Sequence, residues 1–368
     1  MNRVTEGGVI MERIIKVPVE MLEPGMILGE DIDHFFGNIL LKKGHVLDQH
    51  LIDKLAEFHV EYVYIKKAME EEYSYTSPNN VMFDEMAYIN YYEEAIKIMS
   101  QISHDIRLGK TLKIRTVRNV IHRLLEQAFA KNNILYCLNL IKNFDDYTYT
   151  HSINVCLLAT TLGKWLGLCD KDLNQLAYSA LFHDIGKYKI PPEILNKPGK
   201  LTPEEYEIMK QHPAYGYEIV KNIIGISPDV AYGVLMHHEK INGTGYPLGL
   251  VGNQIHFFAK IISIADIYDA LTSDRVYHRK ISPFQAAERI SRESYSNIDP
   301  DISSTFLNNI STFYIGCTVV LNTNEKGKII YLYPNKPTRP LIELENGEYI
   351  DLTKDEYLDV MIEDLLSS

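Results

Sequence analysis

The sequence predicts a mainly α protein: a helical bundle over its middle, a small α/β module before it and a small β module after it. Three observations predict this. Apolar residues recur at helical spacing through most of 82–310. Before residue 68 and after residue 313, short alternating segments broken by Gly, Pro and Asn replace that spacing. No apolar run approaches the ~20 residues of a membrane-spanning helix, and the best one, 155–168, is interrupted by Lys164.

In the first module Ile15-Lys16-Val17-Pro18-Val19 alternates as a strand does, Glu23-Pro24-Gly25 is a turn, and Asn38-Ile39-Leu40-Leu41 with Lys43-Gly44 is a further strand and turn. Residues 48–59 read as a helix with Leu51, Ile52 and Leu55 on one face, and Glu61-Tyr62-Val63-Tyr64-Ile65 as a strand. The acidic stretch 70–80 reads as a linker. Helical patterns cover 82–103, 117–131 and 132–143; those over 82–131 can pair with a second subunit as a homodimer or pack on the core. In the last module 317–321, 328–333 and 340–344 are strands, and Asn346-Gly347 is a two-residue hairpin turn. The expected organisation is therefore 1–75 (regulatory or dimerisation module), 76–130 (linker helices), 131–312 (catalytic domain) and 313–368 (small β module).

Of the 368 residues, 46% are hydrophobic and 23% charged, as in an ordinary globular chain. The formal net charge of -12 argues against binding a nucleic acid polymer, which needs a basic face. The N-terminus has no basic segment followed by an apolar one, so no signal peptide is expected. Cys137, Cys156, Cys169 and Cys317 form no CxxC pair and are expected to be reduced core residues of a cytoplasmic protein.

The chemistry is concentrated in the bundle. Leu173, Leu176, Ala177, Ala180, Leu181 and Asp184 share one helical face, which places a carboxylate where an apolar residue belongs. His183 precedes it, Gly186 is read as the helix stop, and Lys187 follows. His151 opens the preceding helix. Thr202-Pro203-Glu204-Glu205 caps the next one, which carries His212 at its end. A fourth begins at Ser227-Pro228-Asp229 and ends in His237-His238-Glu239, and a fifth holds Asp266 inside an apolar stretch. Five successive helices each place a His or Asp at an apolar or terminal position. Imidazole and carboxylate together suit iron or manganese, with zinc possible. Seven such groups exceed one ion's needs and fit a two-metal centre for phosphoester hydrolysis.

These residues resemble the HD-GYP family, a branch of the HD-domain metal-dependent phosphohydrolases. The resemblance covers roughly 143–306. It rests on His183-Asp184-Ile185-Gly186-Lys187, on Lys197-Pro198-Gly199, on His237-His238-Glu239-Lys240-Ile241-Asn242-Gly243-Thr244-Gly245-Tyr246-Pro247, and on Ile264-Ala265-Asp266 with Asp269-Ala270-Leu271. It implies a helical HD-domain bundle that hydrolyses cyclic di-GMP to linear pGpG, and in some members on to GMP, by attack of a metal-bridging hydroxide. The implied metal ligands are His151, His183, Asp184, His212, His237, His238 and Asp266, with Asp184 shared between two ions. A third ion in some members uses a glutamate four residues before the first histidine; Tyr147 stands there, so two ions are expected. Asn242 replaces a common aspartate. The catalytic residues implied are Asp184 and Lys187. Substrate contacts implied are Lys187, Asn242, Gly243, Gly245, Tyr246, Pro247 and Arg275, while Asp269 is expected to support the centre from behind. The alternatives are hydrolysis of another cyclic dinucleotide, such as cyclic GMP-AMP, and a slow-turnover signalling module that binds a cyclic dinucleotide.

Overall fold

In the computed structural model the described residues are 12–33, 39–57, 60–68, 82–112, 114–142, 144, 147–273, 281–334 and 336–366. The chain divides into two compact units, Met1–Glu72 and Tyr73–Ser368. The linker expected over 70–80 lies outside the described residues.

In the first unit β1 (Glu12–Pro18), β2 (Ile27–Leu28), β3 (Ile32–Asp33), β4 (Ile39–Leu41), α1 (Gln49–Glu57) and β5 (Tyr62–Ala68) follow in order. The central β5 pairs antiparallel with β1 on one side and β2 on the other, while β3 and β4 form a separate pair. Val17, Leu28, Val63 and Ile65 meet Ile52 and Leu55 of α1 in one small core. It is an α/β module, as its sequence implies.

The second unit opens with α2 (Glu85–Arg107), α3 (Ile114–Lys131) and α4 (Ile134–Leu140). Then come α5 (Tyr147–Trp165), α6 (Asp170–Leu181), α7 (Pro192–Leu195), α8 (Pro203–Met209), α9 (His212–Val220), α10 (Pro228–Met236), α11 (Phe257–Thr272), α12 (Pro283–Glu293) and α13 (Pro300–Thr312). A 3-10 turn, Ile185–Lys189, joins α6 to α7. Val155, Cys156, Leu157, Leu158 and Ala159 of α5 are all buried, so this helix is apolar on every side and runs through the centre of the bundle. α6 and α11 pack against it, and α10 packs on both of those. Ser227 caps α10, with Pro228 at the first helical position, where its missing N–H costs nothing.

The C-terminal strands β6 (Thr318–Leu321), β7 (Lys326–Tyr333), β8 (Lys336–Leu344), β9 (Tyr349–Asp351) and β10 (Ile362–Leu366) form one antiparallel sheet, ordered β10-β6-β7-β8-β9. Gly347, at φ +85°, supplies the left-handed residue of the β8–β9 turn. Phe284 of α12 enters the core of this sheet, and the Tyr268 and Tyr314 hydroxyls meet at 2.7 Å. The sheet is therefore packed on the bundle within one unit. β10 closes the sheet although its segment carries no clear strand alternation.

The cysteines are free; Cys137 and Cys156 are buried, but Cys169 is exposed at the start of α6, outside the core expected for it. Among the described residues, no helix is long and apolar enough to cross a membrane.

Candidate metal centre

Seven side chains from five elements converge. His151 projects from the first turns of α5, and Asp266 from the middle of α11. His183 and Asp184 stand in the turn between α6 and the 3-10 segment, because α6 ends at Leu181, earlier than the apolar spacing implies. His212 begins α9 rather than ending α8. His237 caps the C-terminus of α10, and His238 follows it. The donor atoms fall into two groups, each within 4.8 Å: Asp184, His212, His237 and His238, and then His151, His183 and Asp266. The ring centroids of His183 and His237, one from each group, are 5.0 Å apart.

Asp184 lies between the groups. Its Oδ2 is 3.4 Å from His183 Nε2 and 3.8 Å from His151 Nε2. Its Oδ1 is 3.3 Å from His212 Nε2 and 3.8 Å from His237 Nε2. Each carboxylate oxygen thus faces a different set of imidazoles.

The outer nitrogens of four rings are already engaged. Nδ1 of His183, His212 and His237 lies 2.7, 2.8 and 2.7 Å from the carbonyls of Ala180, Met209 and Val234. A carbonyl accepts only, so each Nδ1 carries the proton and each Nε2 presents a lone pair inward. His151 Nδ1 is held 2.7 Å from Asp269 Oδ2. Asp269 also accepts from Asn154 Nδ2 at 2.9 Å and Ser273 Oγ at 3.1 Å, and so supports the centre from behind. His212 Nε2 and His237 Nε2 face each other at 3.4 Å, two acceptors converging. His183 Nε2 is buried without a hydrogen-bond partner among the described residues. Buried lone pairs aimed at one another and at carboxylates need a cation to satisfy them. The donor set fits metal ions.

Electrostatics point the same way. Burial, with the charges of neighbouring histidines, holds His237 well below its ordinary value and brings His238 down to about 3, so both stay neutral and available as ligands. Burial opposes charge on Asp184, but Lys187 and the adjacent histidines outweigh it and hold the carboxyl well below its usual range. Asp266 is likewise held low, by His151 above all, against its burial. His151 is the exception. Burial would lower it, yet Asp266 and Asp269 raise it to about 9.

A family model described as "HD domain" matches residues 135–302. This part of the chain is similar to HD domains. The same span holds both His183-Asp184 and the 237–247 motif. The cyclic di-GMP phosphodiesterase PA4108 of Pseudomonas aeruginosa is 32% identical over 240 residues, covering 65% of this chain and 58% of that protein. The 3'3'-cGAMP-specific phosphodiesterase 3 of Vibrio cholerae is 34% identical over 181 residues, covering 49% of this chain and 39% of that protein. The chain spans about half the length of the curated relatives it matches. Among solved structures, Bd1817, a HDG"Y"P protein from Bdellovibrio bacteriovorus, aligns at 17% identity and TM-score 0.49 over 80% of this chain and 98% of its own.

Two glycines beside the cluster, Gly186 and Gly245, are set by close approach. A Cβ on Gly186 would lie 1.9 Å from the carbonyl oxygen of His212, so this glycine lets the HD turn touch the start of α9. It sits inside the 3-10 segment and is not a helix stop. A Cβ on Gly245 would lie 2.4 Å from Lys240 N and 2.6 Å from His238 O. Gly245 thereby folds the 242–247 loop back onto the histidine pair and brings the Tyr246 ring 4.8 Å from that of His238. Gly243 supplies a left-handed φ of +79°. Asn242 is spent on the loop itself: its Oδ1 accepts from Thr244 N at 3.0 Å, and its Nδ2 donates to Asn297 Oδ1 at 3.0 Å. Pro247 is half-buried beside Tyr246. Lys187 Nζ lies 2.5 Å from Asp184 Oδ2. Arg275 and the side chain of Tyr147 lie outside the described residues.

Sequence reasoning passed over Glu239. It is 5% exposed, and its two oxygens accept from Leu248 N at 2.6 Å and Leu250 N at 2.9 Å, tying the far end of the loop to His238's neighbour. Its place beside the histidine pair was the available signal; its partners, nine and eleven residues on, gave none.

Proposed function

We propose that this chain is a metal-dependent phosphodiesterase that hydrolyses cyclic di-GMP to linear pGpG. The observation that carries the reading is the convergence of five imidazoles and two carboxylates, in two groups between which Asp184 lies, inside a span that matches the HD domain model. The seven residues His151, His183, Asp184, His212, His237, His238 and Asp266 would hold two transition-metal ions, iron or manganese on the chemistry of a mixed imidazole and carboxylate set. Bound there, such ions supply Lewis acidity toward a phosphoryl oxygen and an activated water.

The chain's own residues do the rest. Asp184 offers one oxygen to each group. Asp269 fixes the orientation of His151, and the backbone carbonyls of Ala180, Met209 and Val234 fix those of His183, His212 and His237. Lys187, with its ammonium at Asp184 and its side chain 28% exposed, holds a non-bridging phosphate oxygen and stabilises its growing charge. Tyr246, carried by the Gly245 fold, borders the same space. Tyr147 in the third-metal position supports a halt at pGpG. The acidic chain, with a net charge of -12, meets its anionic substrate through these local cations in the cytoplasm.

A second reading, hydrolysis of cyclic GMP-AMP, is favoured by the relative named for that substrate. Product analysis of metal-loaded protein with both dinucleotides decides between them. Faster conversion of cyclic di-GMP to pGpG is expected. Selective cleavage of cyclic GMP-AMP supports the second reading, and cleavage of neither refutes both.

A further inference from the structure

Helix α2 carries one buried face, Tyr88, Tyr92, Ala95, Met99, Ile102 and Ile106, at helical spacing. It packs on α5 and on the 3-10 segment that follows His183-Asp184. A buried hydroxyl with a hydrogen-bond partner is ordinary; the partner of the Tyr92 hydroxyl is not. Its O–H donates to Asn154 Oδ1 at 2.9 Å. Asn154 Nδ2 donates to Asp269 Oδ1 at 2.9 Å, and Asp269 Oδ2 holds His151 Nδ1 at 2.7 Å. Three hydrogen bonds thus lead from α2, through α5 and α11, to a residue of the cage.

The chain of bonds has one polarity. An ionised carboxylate only accepts, so Asn154 turns its NH2 to Asp269 and its oxygen to α2. That oxygen takes a donor, and the Tyr92 hydroxyl supplies it. The hydroxyl also lies 3.4 Å from Thr150 O, but its single proton goes to the nearer Asn154. With the amide so fixed, Asp269 Oδ1 accepts from Asn154 and Ser273, and Oδ2 is left for His151. That bond puts a proton on Nδ1 and turns Nε2 toward Asp266 and Asp184. Three turns further along α2, Ser103 Oγ meets the Tyr149 hydroxyl at 2.9 Å. Tyr149 precedes His151 by two residues, so α2 grips the first turns of α5 at two points.

We propose that Tyr92 is a positioning residue of the metal centre: acting through Asn154 and Asp269, it fixes His151 and ties the orientation of a metal ligand to the placement of α2. The inference rests on the proposed reading of His151 as a ligand. A slip of one residue along α2, about 1.5 Å, far exceeds the roughly 0.2 Å that a metal–ligand distance tolerates. Helix α2 is therefore a handle on the centre as well as a wall of the bundle.

The test titrates Mn²⁺ and, separately, Fe²⁺ into chelator-stripped protein by anaerobic calorimetry. Tyr92→Phe removes one oxygen and keeps the ring. It should weaken one of two binding steps about tenfold, the low end for a group that orients a ligand from behind, because the Ser103 tie remains. The other step should hold. Asn154→Ala, which cuts the same path from α5, should weaken the same step at least as much. Tyr88→Phe is the control. Its hydroxyl is equally buried, one turn earlier on the same face, and has no hydrogen-bond partner among the described residues; metal binding should not change. On top of Asp269→Asn, Tyr92→Phe should add less than about twofold, since its path is already cut. Unchanged affinities in Tyr92→Phe, beside normal binding by the unaltered chain, overturn the inference alone. So does a loss shared by Tyr88→Phe, or one that adds in full to that of Asp269→Asn, since either marks a packing effect. Unchanged binding in Asn154→Ala overturns it as well. If the unaltered protein takes up neither ion, the metal-centre reading itself falls.

Discussion

Replacing Gly186 by alanine should damage the centre without touching a ligand. The added Cβ would lie 1.9 Å from His212 O, 2.5 Å from Gly216 N and 2.9 Å from His212 C. Ordinary contact begins near 3.4 Å, so the HD turn and the start of α9 must separate by about 1.5 Å. All three obstacles are backbone atoms, which cannot swing aside. Overpacking of this kind costs about 1–3 kcal/mol, and a rigid backbone neighbour places this case at the upper end. For a domain of this size that lowers Tm by roughly 5–10 °C. The functional loss follows from the same displacement. His212 Nε2 now stands 3.3 Å from Asp184 Oδ1, whereas metal–ligand distances tolerate only about 0.2 Å. A displacement near 1 Å costs on the order of a hundredfold in rate. Metal quantification after dialysis at fixed free metal, beside a thermal melt, checks both parts. An alanine variant that keeps the original Tm, metal content and turnover would show that the close approach does not position His212.

Other outcomes follow from the same geometry. Asp269→Asn should weaken metal binding about 10- to 100-fold by loosening His151; a metal titration with unchanged affinity contradicts the supporting role. Lys187→Ala should lower turnover by roughly 10²–10³ with metals retained, and loss of metal instead would make its pairing with Asp184 structural. Glu239→Gln should cost about 1–3 kcal/mol, because an amide cannot accept from both Leu248 N and Leu250 N; an unaltered melt counts against that anchor. In metal-free protein, His151 has a folded pKa raised from 6.5 to about 9. Its contribution, on the order of 3 kcal/mol, is complete below about pH 6.5 and is lost as pH rises through 9. His151→Gln should flatten this decline in melts with chelator present, and equal slopes for both proteins would refute it.

The convergent set was legible because its members break the helical pattern: a carboxylate on an apolar face at Asp184, another inside an apolar run at Asp266, and histidines at helix ends. The capping box at Thr202 and the Ser227 cap were readable for the same reason, since each is a local exchange of hydrogen bonds. What the sequence misplaced depends on distant contacts. The apolar spacing runs on through Asp184, yet α6 stops at Leu181, because Gly186 lets the next turn touch His212, 26 residues on. His212 continues the spacing of α8 but opens α9. Asn242 and Glu239 serve loop partners that no periodicity announces. The sheet on α12 depends on Phe284, which reads as an ordinary apolar residue at the start of an amphipathic helix.

The most direct test of the central claim is the metal content of anaerobically purified protein, with and without the paired substitution of His183 and Asp184 by alanine. Two transition-metal ions per chain are predicted for the unaltered protein, and none for the double variant while its cooperative unfolding persists. A double variant that retains the full complement would contradict the account.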